Sequence, residues 1–370
     1  MIDKINAIWG IDNNTSNLDK FTGYEHLYDK FDTYTKEVYY ANPEQTIQEV
    51  YDLYRSVNLV PITYFTEQGM IDELKHFKSR GYNHVTDNVQ GLGNNAGSSI
   101  GRFLFPNMMT AEPKGRGSNS LRDRFLDEKK LKRAIRICFE FRDSNKLVYP
   151  MSLRTALELV TGENVTNFKA QHARSIVEHL CPVMWGRVYD YSCGYGGRLL
   201  GISSSNMGYT YVGTDPNTET FNYLNYLNTF LNSDSEIIKD VSENYQSEDI
   251  DLAFSSPPYF NLEKYSDEPT QCMVNYTTLD EWFEGYVAPT MKNIHKGLND
   301  EGIFATNIAD YKSYGNKEFN VVEDWISTAG KVGFEHTKTI KMMLNTRPGV
   351  GNDKLEGREK WEGVYVFKKK

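Results

Sequence analysis

The feature that most constrains this chain is a short apolar strand running into a glycine turn, Val188-Tyr-Asp190-Tyr-Ser192-Cys193-Gly194-Tyr-Gly196-Gly197. Gly194 and Gly196 permit a tight turn and let a ligand approach the backbone closely. About 25 residues later, Tyr211-Val-Gly-Thr-Asp215 reads as a second strand ending in a carboxylate. A carboxylate at that spacing can hold both hydroxyls of a ribose, as in dinucleotide-binding folds. By themselves these segments indicate an adenosine-containing cofactor; a glycine turn followed by a helix-capping Asp is the plainer alternative.

The surrounding pattern fits an α/β sheet. From about residue 167 the chain alternates strands (187–191, 209–213, 236–238, 252–254, 302–307, 337–344 and 363–368) with helices (170–180, 199–203, 218–231, 279–298 and 321–329). Such alternation implies a mostly parallel sheet covered on both faces. Ligands of these sheets bind beyond the carboxyl ends of the strands, where the strand order reverses. Upstream the texture differs. Helices are expected at 43–54, 67–77, 121–142 and 152–161, and a Gly-, Asn- and Ser-rich stretch, 81–120, reads as a long loop. Residues 1–40 are polar and rich in tyrosine, and support no assignment. The expected organisation is a mainly helical N-terminal region, 1–160, followed by an α/β domain, 161–370.

A second motif carries chemistry. Asp251-Leu-Ala-Phe-Ser-Ser256-Pro257-Pro258-Tyr259 is a short apolar strand entering Ser-Pro-Pro-Tyr. Two consecutive prolines offer no N–H and hold the backbone extended, so neighbouring carbonyls become rigid outward acceptors. A serine oxygen beside such a carbonyl can accept both hydrogens of an –NH₂ group, which aims the nitrogen lone pair at an electrophile. Tyr259 supplies a flat face for a flipped base. Ser-Pro-Pro also closes ordinary loops; here it follows the glycine turn by about 60 residues and the ribose-type carboxylate by about 40, which weighs against that plainer reading.

With both motifs in hand, the chain resembles the S-adenosylmethionine-dependent amino-methyltransferases that modify N4 of cytosine or N6 of adenine in DNA. Their cofactor motif, D-P-F-x-G-x-G, is matched by Asp190, Gly194, Gly196 and the spacing, with Tyr191 where the family prefers proline. Their catalytic motif, [DNS]-P-P-[YF], is matched in full by Ser256, Pro257, Pro258 and Tyr259, and its serine form is commoner among the cytosine-N4 enzymes. The resemblance spans about residues 165–370. It implies a Rossmann-like class I methyltransferase domain with a mostly parallel seven-stranded sheet and an antiparallel last strand. It also implies S-adenosylmethionine as cofactor, held by Phe168, Asp190, Ser192, Cys193, Gly194, Gly196, Asp215 and Asp240. Asp215 looks like the ribose-binding acid, Asp240 like the acid near the adenine, and Asn167-Phe168-Lys169 like the segment along the methionine end. The implied setting is the cytoplasm of a bacterium or phage-infected cell, with restriction–modification as one context.

Charge bears on the substrate. The net charge of −9 argues against nucleic-acid binding when averaged over the chain, but Glu112 to Arg154 holds twelve Lys and Arg against six Asp and Glu. A local basic face is what matters for phosphate contact. Arg122, Arg124, Lys129, Lys130, Lys132 and Arg133 are the candidate contacts to double-stranded DNA, the alternative being a solvated helix face balanced by Asp123, Asp127 and Glu128. Too few residues separate the two motifs to hold a target-recognition region, which leaves the first 165 residues for that role. Gly91-Leu-Gly93-Asn-Asn-Ala96 also fits a nucleotide-binding pattern, but the polar segment before it reads as a loop. The charged stretch 347–360 reads as a surface loop, with substrate contact as the alternative.

Other classes are disfavoured. The four cysteines form no CxxC pair and the seven histidines show no metal-ligand spacing, so neither a zinc site nor a disulfide framework is expected. No apolar run approaches the roughly 20 residues of a membrane-spanning helix, and the first residues lack a signal-peptide pattern, so no membrane partner is expected. Three rivals to a DNA enzyme stand: the same chemistry on RNA or protein glutamine, a DNA-binding protein on a vestigial methyltransferase scaffold, and a base hypermodification enzyme.

Overall fold

Strand and helix alternation after residue 167 builds one sheet. In the computed structural model its seven main strands are β1 (Arg187–Asp190), β2 (Thr210–Thr214), β3 (Glu236–Ile238), β4 (Ile250–Ser255), β5 (Leu298–Ile308), β6 (Phe334–Met343) and β7 (Trp361–Lys369). Their order across the sheet is β6-β7-β5-β4-β1-β2-β3, with a two-residue strand, Val89–Gln90, beside β6. All neighbours pair in parallel except those of β7, which runs antiparallel to both β5 and β6. This is the Rossmann-like class I methyltransferase arrangement. The described residues are 2–11, 18–80, 89–90, 95–113, 119–141, 144–161, 164–312, 317–343 and 361–370. The charged stretch 347–360 and Gly91-Leu-Gly93-Asn94 of the second glycine pattern lie outside them.

Side-chain alternation explains why the strands are apolar throughout. In a strand, successive residues face opposite sides, and helices here cover both. On one side Tyr189 and Tyr191, Ala253, Phe304 and Phe367 join a core with Trp282, Tyr286 and Trp325. On the other, Phe254 meets Phe168 edge to face at 5.7 Å, just ahead of helix α1 (Ala170–Leu180). Helix α1 packs on α2 (Gly197–Ser203), the helix that leaves the glycine turn, and α3 (Thr218–Leu231) follows β2. The remaining helical cover is Leu279–Gly297 and Val321–Val332.

The chain divides into two compact units, the sheet belonging to residues 76–101 and 167–370, and the other unit comprising 1–75 and 102–166. The second of these is helical and aromatic at its centre. Phe31 stacks on Tyr54 at 5.3 Å, Tyr24 lies 4.8 Å from Tyr54, and the Tyr54 hydroxyl donates to Val148 O at 2.6 Å. These contacts place Tyr24 and Phe31, from the region that local periodicity left unassigned, in the core of this unit.

Three expectations change. The stretch 81–120 is not all loop: it contains the helix Ser98–Leu104 and the 3-10 turn Pro106–Met109. The helix expected over 121–142 is two, Leu121–Leu126 and Glu128–Glu140, because Asp127 leaves helical geometry and caps the second through Lys130 N at 2.8 Å. The segment 279–298 contains a π turn, Phe283–Val287, and Leu298 already belongs to β5.

Candidate active site

Strand β1 lies between β2 and β4, and the chain reverses direction across the sheet at the β1–β4 boundary. That boundary is the crevice where ligands of such sheets bind. Val188 pairs with Leu252 and Tyr189 with Ala253, so the glycine turn and Ser-Pro-Pro-Tyr leave the sheet side by side at its carboxyl edge. The two motifs are thus neighbours in space although far apart in sequence.

Asp190 joins them. Its carboxylate is fully buried and accepts from Arg198 Nε at 2.9 Å, Tyr211 Oη at 2.8 Å, Ser255 Oγ at 2.7 Å and Ser192 N at 3.3 Å. Burial works against the charge of Arg198, but Asp190, together with Tyr211 and Cys193, more than offsets it, so the pKa of Arg198 lies above the ordinary value. Arg198 also donates to Ser192 O. Asp190 therefore fixes the shape of the turn and ties it to the residue preceding Ser256. Arg198, Tyr211 and Ser255 were not among the sequence-based site residues. One signal was present: Arg198 is the only charge in the otherwise apolar Gly197–Ser203 helix.

The turn itself offers backbone. Gly194 has φ +53°, and a Cβ there would meet nothing within 4 Å among the described residues, so these leave open space at this point of the turn. Gly197 is needed for another reason. A Cβ on it would stand 1.9 Å from Phe168 O, so its absence lets α2 lie against the segment before α1. Asn167 Nδ2 donates to Tyr195 O at 2.7 Å, and the Arg198 guanidinium lies 5.4 Å from the centre of the Phe168 ring. Phe168 is thereby held against the turn. Tyr191, the departure from the family motif, points away into the core and bonds to Thr306 Oγ1. Cys193 also points inward: its thiol lies 3.3 Å from Tyr211 Oη, and burial raises its pKa.

Asp215 ends β2 beside the turn. Its Oδ2 accepts from Gly194 N at 2.9 Å and its Oδ1 from Asn217 N at 3.0 Å. Burial pushes this carboxyl up to about 7, against the opposing effect of those two N–H groups. Asp240, half-buried beyond β3, accepts from Val241 N at 2.8 Å.

Ser256 directly follows β4 and is half-buried, with no hydrogen bond to its side chain among the described residues. Pro257 is buried and Pro258 half-buried. Tyr259 is held in place: its hydroxyl accepts from Ala309 N at 3.1 Å, and its ring meets Tyr311 edge to face at 5.0 Å.

The basic residues belong to the other unit. Arg122, Lys129 and Arg133 are exposed. Lys130 donates to Asn119 Oδ1 at 2.6 Å, and Lys132 pairs with Glu128 at 2.6 Å while lying 5.0 Å from the centre of the Tyr51 ring. Arg124 needs correction. It is 1% exposed and donates to Asn119 O, Leu157 O and Asn164 Oδ1, so it braces helices and presents no charge to phosphate. Among the described residues no group of three or more His, Cys, Asp and Glu is placed to hold a metal ion, and no helix is long and apolar enough to cross a membrane.

No family model and no curated protein matches the chain. Similar solved structures include TrmN from Thermus thermophilus, at 12% identity over 54% of this chain and 49% of that one, with a TM-score of 0.36. A methyltransferase from Pyrococcus furiosus is similar at 13% identity over 58% of this chain and 92% of that one, TM-score 0.36. Fibrillarin from Aeropyrum pernix, solved with S-adenosyl-L-methionine bound, is similar at 11% identity over 53% of this chain and 74% of that one, TM-score 0.33. The chain thus spans about half the length of the Thermus protein.

Proposed function

We propose that this protein transfers a methyl group from S-adenosylmethionine to the exocyclic amino group of a DNA base, with cytosine N4 preferred over adenine N6. The observation that carries the reading is the pairing of β1 with β4, which sets an adenosine-type glycine turn beside Ser-Pro-Pro-Tyr at the switch point of the sheet.

The residues present fit the cofactor. Open space at Gly194 admits a ligand to the backbone of the turn, and the Asp215 carboxyl, at the end of β2, is within hydrogen-bond distance of that same turn. Asp215 would hold the ribose hydroxyls, the backbone of Ser192 to Gly196 and the Phe168 ring would flank the methionine end, and Asp240 would lie near the adenine. When bound, the group supplies an electrophilic methyl on a sulfonium sulfur.

The chain's own residues then orient the nucleophile. Ser256 Oγ and the carbonyl near Pro257 accept the two N–H bonds of the target amine, which frees its lone pair from ring conjugation. Tyr259, fixed by Ala309 and Tyr311, stacks the flipped base. Catalysis on this account is mostly positioning, with acceptors aimed at the charge that develops on nitrogen. The exposed Arg122, Lys129 and Arg133 supply phosphate contacts.

A competition assay tests the substrate class. With labelled cofactor, label is expected in DNA when DNA, RNA and protein acceptors are offered together. Label in RNA or protein alone would keep the chemistry and replace the substrate.

A further inference from the structure

The segment between Ser-Pro-Pro-Tyr and the helical stretch Leu279–Gly297 holds no motif identified in the sequence, yet it is tied across the carboxyl edge of the sheet strand by strand. It begins at the end of β4. Tyr265 then meets Tyr195, the residue after Gly194 in the glycine turn, edge to face at 6.2 Å. Glu268 reaches the start of α3, three residues beyond Asp215, where its carboxylate accepts from Thr218 N at 3.0 Å and from Thr218 Oγ1 at 2.9 Å. Tyr276 arrives beyond β3, three residues past Asp240, and its hydroxyl donates to Glu243 Oε1 at 2.9 Å. The ties follow the order of the sheet, β4-β1-β2-β3, and each falls within three residues of a cofactor-site residue.

The two ends of the segment are fixed. At the near end Phe260 is buried and its ring lies 6.0 Å from that of Phe319. At the far end Gly285, in the π turn, makes room for Tyr276: a Cβ there would stand 2.4 Å from Tyr276 Cε1. The middle differs. Asp267, Pro269 and Thr270 are exposed, and Glu268 docks on an exposed partner, Thr218. That contact is well placed all the same. A carboxylate at the N-terminus of the 14-residue helix α3 accepts from an N–H that has no partner within the helix, and it complements the helix dipole.

We propose that residues 261–276 form the outer wall of the S-adenosylmethionine site and that Glu268 is its latch, a positioning residue that holds the wall closed over bound cofactor. The inference rests on the cofactor lying across the ends of β1, β2 and β3, whatever the methyl acceptor. Cofactor held by the glycine turn, Asp215 and Asp240 then lies between those strand ends and the segment that spans them. It enters and leaves when the middle of the segment swings out, which breaks the Glu268–Thr218 contact while the ends at Phe260 and Tyr276 stay in place. Hydrogen bonds to a charged acceptor at a half-exposed position suit a latch: strong enough to slow opening, weak enough to break on every turnover.

The test measures how fast the full-length protein takes up labelled S-adenosylmethionine and how fast it releases the label when chased with excess unlabelled cofactor. Glu268→Ala should release about tenfold faster and take up faster as well, leaving equilibrium affinity within about threefold. Glu268→Gln, whose amide oxygen still accepts from Thr218, should fall between the alanine variant and the wild type. Thr218→Val should speed release on its own and change nothing further in Glu268→Ala, because both act through one contact. Wild-type rates in Glu268→Ala, or full additivity of the two substitutions, would overturn the latch. So would faster release with unchanged uptake, which would mean that Glu268 touches the cofactor itself. A wild type that takes up no S-adenosylmethionine would instead overturn the cofactor site on which the inference rests.

Discussion

Asp215 and Ser256 have separable roles at the residue scale. Asp215→Ala should weaken cofactor binding by about 10- to 100-fold, the scale of hydrogen bonds to a charged acceptor, and calorimetry reads this directly. Unchanged affinity would displace the ribose site from β2. The same carboxyl gives a pH dependence with a defined sign. Its folded pKa, about 7, lies above its ordinary 3.8, so the folded protein holds the extra proton between these values. This group therefore adds stability at low pH that is lost as pH rises through 7. Ribose hydroxyls donate best to the ionised form, so cofactor affinity should increase as pH rises through 7 and level off above it. Ser256→Ala, by contrast, should leave cofactor affinity intact and lower kcat by about 100-fold, as removal of one positioned polar group from a transition-state site does.

At the scale of elements, the site depends on how the glycine turn is clamped between β1, α2 and the segment before α1. Arg198→Met leaves the Asp190 carboxylate buried without its cation and should cost about 3–5 kcal/mol. Chemical denaturation measures this. Gly197→Ala places a methyl into Phe168 O and should destabilise by about 1–3 kcal/mol while weakening cofactor binding; a neutral effect would mean that α2 and residue 168 are not in contact. The strand ends and the turn were legible in the sequence because each is local: an apolar run, then glycines or prolines that can take few conformations. The Asp190 cluster was not, because its members come from β1, β2, β4 and α2; a lone charge in an apolar segment marks Arg198 as unusual but does not name its partner. Arg124 shows the same limit from the other side, counted with a basic surface although it braces the interior. The helix Ser98–Leu104 was concealed by neighbouring Gly, Asn and Ser, and the break at Asp127 by a charge pattern that reads equally well as one long helix.

For the molecule as a whole, the proposed function assigns phosphate contact to the basic face of the helical unit. The chain is acidic overall, yet the helix Glu128–Glu140 exposes Lys129 and Arg133. If these two neutralise phosphates, Lys129→Glu with Arg133→Glu should weaken DNA binding across all sequences and lower the slope of log affinity against log salt by about 2. Cofactor affinity should not change. An unaltered salt slope would show that this face is merely solvated. Such a face is only partly readable from sequence: Lys130 and Lys132 are engaged by Asn119, Glu128 and Tyr51, contacts set by packing rather than by composition. The proposed function is amine methylation of DNA. Its most direct measurement is nucleoside mass spectrometry of unmodified DNA digested after incubation with the protein and labelled S-adenosylmethionine. Labelled N4-methylcytosine is expected, with N6-methyladenine as the other outcome that keeps the class. Unmodified nucleosides, from a protein that demonstrably binds the cofactor, would contradict it.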